Sequence, residues 1–170
     1  MALGPFHLAD KSAWEQARDD EGARRRMHEL RETGQLAVCA VSLAELLSPT
    51  RNAEELTRIR LDLSSLAYLH MTPAAEQKLG DTMAALALRG QHRMPIPGLM
   101  LAAIAQSHSA VVLHYDADYQ RVAAVTGQPH HWIVPRGTGH GARPTMSVSS
   151  QGVRAEPTGN GSARSRSRRL

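Results

Sequence analysis

The chain carries one cysteine, Cys39, in 170 residues. An internal disulfide is therefore excluded, and Cys39, set in an apolar run, reads as a small core residue in a reducing cytoplasm. No stretch approaches the roughly 20 uninterrupted apolar residues that span a bilayer, so no membrane segment is expected. Met1 to Asp10 lacks a basic start followed by a long apolar stretch, and no secretory signal is expected either. The nine histidines contain no H-x-x-x-H or cysteine-paired spacing, which removes zinc from the expectations. Internal repeats are also missing.

An excess of positive charge is missing too, from all but the end of the chain. The formal net charge is +4, from 20 Lys/Arg and 16 Asp/Glu. Six arginines and one acid follow Arg136, which leaves 14 basic against 15 acidic residues up to and including it. The overall isoelectric point is thus no argument that the folded part binds nucleic acid. Gly137 to Leu170 is rich in Gly, Ser, Pro and Arg, with almost no large apolar side chains to offset its ordering entropy. The expectation is one domain over residues 1–136 and a disordered tail over 137–170. The Arg/Ser run from Ser162 would hold RNA or anionic surfaces by charge alone, and a solvated extension without function is an equal reading.

What the first 136 residues do contain is an alternation of short apolar runs and longer helical patterns. Strands are expected at Phe6–Ala9, Leu36–Val41, Ala67–Met71, Ala110–Tyr115 and His131–Val134. Between them, Ser12 to Thr33 reads as one helix, with Ser12 as cap, Glu15 as its capping-box partner and Gly34 closing it. Ser42 to Leu47 reads as a short helix and Asn52 caps another to about Ser64. Thr72-Pro73 opens a helix that runs to Arg89-Gly90. Pro95-Ile-Pro97 leads into an apolar helix, Gly98–His108, and Asp118–Thr126 forms a last helix ended by Gly127. Strands separated by helices imply a mostly parallel sheet covered on both sides.

The acids fall at particular places on that scheme. Asp10 ends the first strand, Glu45 lies on the first turn after the second, and Asp116 and Asp118 follow the Val111–Tyr115 strand. The carboxyl edge of a parallel sheet is where ligands bind. Like charges gathered there repel unless a cation sits among them. Oxygen donors without Cys or spaced His favour Mg²⁺ or Mn²⁺, and such an ion suits phosphodiester hydrolysis. Each acid also has a plain reading. Asp10, Asp116 and Asp118 would serve as helix caps. Glu45, among Val41, Leu43, Leu46 and Leu47, is the one that wants a partner if buried. Spacing alone leaves both readings open.

At these residues the chain resembles the PIN-domain family, in its VapC-type toxin branch. Leu8-Ala-Asp10-Lys-Ser-Ala-Trp14 is similar to the family's first strand and Asp-x-Ser turn, and Val41-Ser-Leu-Ala-Glu45-Leu-Leu-Ser48 to the segment with its characteristic Glu. Pro95-Ile-Pro-Gly98-Leu-Met-Leu-Ala-Ala-Ile-Ala105 looks like the helix bearing its third acid. Leu113-His-Tyr-Asp116-Ala-Asp118-Tyr119 resembles its last acidic motif. The ending Trp132-Ile-Val-Pro135-Arg-Gly137 is similar too, so the likeness runs in order over about residues 6 to 137.

That resemblance implies a three-layer α/β/α PIN-like fold with a central, mostly parallel sheet of four to five strands. It further implies an Mg²⁺- (or Mn²⁺-) dependent endoribonuclease toxin in the cytoplasm, a homodimer, blocked by a VapB-type antitoxin of a toxin–antitoxin system. Asp10, Glu45 and Asp116 would be its catalytic metal ligands. Asp118 would be a supporting acid, and Ser12 would hydrogen-bond near the metal or to Asp10. Lys11, where the family often has Thr, would approach substrate phosphate or stay solvated. Gly98 stands where the family usually has an Asp. As a helix cap the exchange is mild, about a few tenths of a kcal/mol. It removes an anionic donor, however, and no nearby acid replaces it: Asp81 is on another helix and His92 in a turn. The expectation is an impaired site, or a degenerate PIN domain that binds antitoxin or RNA without cutting.

Overall fold

Five short strands pair side by side: β1 (His7–Ala9), β2 (Leu36–Val38), β3 (Ala67–Tyr68), β4 (Val111–His114) and β5 (His130–Trp132). The computed structural model describes residues 4–91 and 93–139, and the expected tail from residue 140 onward, like His92, lies outside the described residues. The strand order is β3-β2-β1-β4-β5, and every pairing is parallel rather than mostly so. The helices are α1 (Lys11–Asp19), α2 (Glu21–Glu32), α3 (Ala40–Leu47), α4 (Ala53–Leu63), α5 (Pro73–Leu88), α6 (Ile96–Ser107) and α7 (Asp118–Thr126).

Side chains alternate across the strands and so build two cores. Leu8, Ala37 and Val112 point to one face, where they meet Leu86, Leu99, Ile104 and Val122 of α5, α6 and α7. Their neighbours Ala9, Leu36 and Leu113 point to the other, against Ala13, Ala23, Met27 and Leu30 of α1 and α2. Val38, Leu46 and Leu63 close a smaller cluster beside α3 and α4. Continuous apolar strands follow from this double covering. The result is a three-layer α/β/α fold, in which no described helix is long and apolar enough to cross a membrane.

The local differences from expectation have local causes. The expected single helix from Ser12 to Thr33 is two, because Asp20 takes an extended conformation and its side chain accepts from the Ala23 amide at 2.8 Å, starting α2 afresh. Asp10, not Ser12, caps α1, so the Ser12–Glu15 capping box does not form. The run Leu36–Val41 is strand only to Val38. The Ser42 hydroxyl accepts from the Cys39 amide at 2.9 Å, and α3 begins at Ala40. A continuous apolar run cannot by its pattern mark where a buried strand becomes a buried helix. This moves Glu45 from the first turn of its helix to the second. In α6, Ile96 and Pro97 are already helical, so Gly98 lies inside the first turn and is no cap. β5 starts one residue early, at His130.

β1 is central, with β2 on one side and β4 on the other. The chain therefore leaves β1 towards one edge and returns for β4 on the opposite side. At such a switch point the connections diverge, and a crevice opens above the carboxyl ends of the strands.

Candidate active site

The crevice is a cleft of about 270 Å³. Asp10, Ser12, Glu45, Asp116, Asp118 and the bare Gly98 all line it. The acids expected to meet therefore do share one cleft, although they come from three distant segments. Asp81 faces a different groove, with Lys78 and Thr82.

Asp10 is held most firmly. Its amide donates to the Leu113 carbonyl at 2.9 Å, stapling the end of β1 to β4. Its Oδ2 accepts from the Ser12 amide at 3.0 Å and the Ser12 hydroxyl at 2.6 Å. Its Oδ1 accepts from the Tyr119 hydroxyl at 2.9 Å. The plain reading of Asp10 as a cap is thus correct for Oδ2, and Oδ1 is what remains for other work. Ser12 does a second job, because its hydroxyl also accepts from the Tyr115 amide at 2.9 Å and ties α1 to the end of β4.

Asp116 is positioned by backbone. Its Oδ1 accepts from the Asp118 amide at 2.9 Å, and its own amide donates to Nδ1 of the fully buried His114 at 3.0 Å. Burial and the neighbouring His130 push the His114 imidazole down to about 3, so it is neutral and able to accept that bond. Asp118 is paired with Arg121, one turn along α7, which suits a supporting acid better than a ligand.

Glu45 is the least satisfied group. Its Oε2 is buried and has no hydrogen-bond partner. Burial, then the charge of Asp10, raises its pKa above the ordinary glutamate value, while Lys11 pulls the other way. Lys11 itself lines the cleft and pairs with Glu15 at 3.5 Å on a solvated helix face.

Two lining residues were not legible as site residues. Glu15 had been assigned to a cap, but it faces the cleft one turn after Lys11. Tyr119 follows the Asp-x-Asp pattern and resembles a core aromatic. Only the tertiary placement of α7, packed against α5, α6 and β5, carries its hydroxyl to Asp10. That phenol is 4% exposed, and burial followed by the charge of Asp10 raises its pKa well above the usual value.

Five carboxylates, from Asp10, Glu15, Glu45, Asp116 and Asp118, thus face one ammonium, that of Lys11. Among the described residues no group of three or more His, Cys, Asp or Glu side chains is drawn close enough together to hold a metal ion by itself. Mg²⁺ keeps several of its waters, and a carboxylate can hold it directly or through one of them, so an open arrangement of oxygen donors suits it.

Comparison with known proteins defines the class. The family profile described as PIN domain matches residues 8–125, and the chain belongs to the PIN domain family. Within it, the chain is 39% identical over 115 residues to ribonuclease VapC51 of Mycobacterium tuberculosis, covering 68% of this chain and 84% of that protein. It is 36% identical over 136 residues to ribonuclease VapC21 of the same organism, covering 78% of this chain and 96% of that one. Among solved structures, the DNA-bound VapBC complex of Salmonella typhimurium aligns with a TM-score of 0.64 at 20% identity, covering 77% of this chain and 100% of that one. The last likeness establishes the fold alone.

Proposed function

We propose that the chain is a metal-dependent endoribonuclease that hydrolyses RNA phosphodiester bonds, as the toxin of a toxin–antitoxin pair. Asp10, Glu45 and Asp116 would hold Mg²⁺ or Mn²⁺. The observation that carries this reading is the partnerless buried oxygen of Glu45, in a cleft with five carboxylates and one ammonium. Such a cleft repels a polyanion unless a cation is bound, and oxygen donors select a hard ion. The names of the VapC ribonuclease relatives support the same substrate class.

When bound, the ion would polarise a phosphoryl oxygen and lower the pKa of a water. The chain's own part is placement. Ser12 and Tyr119 fix the Asp10 carboxylate, the Asp118 and Asp116 amides fix the β4–α7 turn, and Lys11 at the cleft is available to a substrate phosphate. A VapB-type antitoxin as partner is supported by the solved complexes with this fold. A homodimer is proposed on the family resemblance.

Cleavage of a structured RNA with Mg²⁺ or Mn²⁺ tests the reading. Asp10→Asn and Asp116→Asn are expected to abolish cutting. The second reading, a PIN domain that binds antitoxin or RNA without cutting, is favoured by Gly98, which leaves the α6 wall of the cleft without an acid. RNA binding without any cutting, unchanged in Asp10→Asn, would select it.

A further inference from the structure

The α6 side of the cleft, formed by Pro95, Pro97 and Gly98, brings no charged group to the site. A Cβ built on Gly98 would have the Tyr119 hydroxyl oxygen as its nearest neighbour, at 3.5 Å. That hydroxyl is therefore the polar group standing against the bare corner. Its proton is committed to Asp10 Oδ1 at 2.9 Å. Asp10, 8% exposed, offers roughly four acceptor directions. Ser12 takes both on Oδ2 and Tyr119 takes one on Oδ1.

We propose that Tyr119 is a positioning residue for the cation: its hydroxyl stands beside the Gly98 corner and turns Asp10 so that one lone pair of Oδ1 is left for a divalent ion. This rests on the metal-dependent reading above. The arrangement also explains how an α6 wall ending in glycine still delimits the site. The Tyr119 hydroxyl stands 3.5 Å from where a Cβ at 98 would lie, an ordinary contact, and donates to Asp10. Outer hydrogen bonds of this kind commonly alter metal affinity by about 10–100-fold.

The test is Mn²⁺ binding by the whole chain, followed by calorimetry and paramagnetic resonance, in the wild type, Asp10→Asn, Tyr119→Phe, Gly98→Asp, and Tyr119→Phe combined with Gly98→Asp. Tyr119→Phe deletes one atom, and its melting curve without metal reports whether it folds. The expected result is binding by the wild type, loss in Asp10→Asn, and weakening of about 10-fold or more in Tyr119→Phe. Gly98→Asp then raises affinity by a larger factor in Tyr119→Phe than in the wild type, because the deleted hydroxyl no longer stands against the new side chain.

Wild-type affinity in Tyr119→Phe overturns the proposal. So does a gain from Gly98→Asp that is the same with and without the Tyr119 hydroxyl, since that assigns Tyr119 to packing. No binding by the wild type, or equal binding by Asp10→Asn, overturns the metal reading itself. Ultraviolet difference spectra of the wild type during Mg²⁺ titration give a second readout, free of substitutions. A tyrosine band shift is expected as the ion draws on Oδ1, and an unchanged band overturns the proposal.

Discussion

His114 Nε2 lies 2.8 Å from His130 Nδ1, and this contact fixes the proton positions behind Asp116. The Asp116 amide can only donate, so His114 Nδ1 must accept and Nε2 must carry the proton. That proton goes to His130 Nδ1. One tautomer of each ring satisfies both bonds, and the candidate ligand turn rests on two neutral imidazoles. The His114 ring also packs against Tyr119 and Trp132, each 4.8 Å away between centroids.

Acid should therefore loosen the fold from behind the site. The folded pKa of His114 is lowered from 6.5 to about 3, and those of His7 and His130 are lowered too. Between those values the unfolded chain binds more protons, so stability is full above about pH 6.5 and falls as pH drops towards 3. For His114 the loss is on the order of a few kcal/mol at full development. Thermal melts of the metal-free protein across this range should show the decline. His114→Leu should be less stable at pH 7 but show a shallower slope. An identical slope would rule His114 out as a source.

Glu45→Gln should stabilise the metal-free protein at neutral pH. Glu45 has a raised folded pKa, so its contribution is present below its unfolded value near 4.5 and is lost as pH rises through the folded one. Allowing for partial exposure and screening, the neutral amide should gain about 0.5–1 kcal/mol. Added Mg²⁺ should raise the melting temperature of the wild type by mass action and leave the variant nearly unmoved. A destabilised variant in the absence of metal would contradict the account of Glu45.

Gly98→Asp should fold and bind Mg²⁺ more tightly than the wild type, with faster RNA cleavage. The new Cβ meets only the Tyr119 ring end, at ordinary contact distances of 3.5 and 3.8 Å. Gly98 is helical and outside the left-handed region, so the backbone accepts the change. Calorimetry and a cleavage assay check it together. Unchanged affinity and unchanged cleavage would mean that this corner does not face the ion.

Asp20→Ala should cost about 1 kcal/mol through loss of the cap on α2. Denaturant melts would measure it. Since Asp20 is absent from the cleft lining, any cleavage activity should persist.

Much of this was legible in the sequence because the sheet is buried on both faces. Runs such as Val111–His114 admit few other readings, and Asn52, Thr72-Pro73 and Gly127 punctuate the helices where the structure has them. The break at Asp20 was hidden because apolar spacing continues across both helices, and an acid within such a pattern looks like a solvated face. The common cleft of Asp10, Glu45 and Asp116 followed from strand ends alone. Tyr119 did not, because its role depends on a contact between residues 109 positions apart. Nor did the His114–His130 pair, since neither imidazole has a sequence pattern that distinguishes it from a packed ring.

The central place of β1 has a temporal consequence. Asp10 is made 106 positions before Asp116, and the strand that ends in Asp10 leans on β4 for one of its two flanks. A nascent chain that stops short of β4 carries three of the cleft's five acids, Asp10, Glu15 and Glu45, on an unfinished scaffold. Whatever this edge does to its target, it can begin only once β4 and the turn after it have been made.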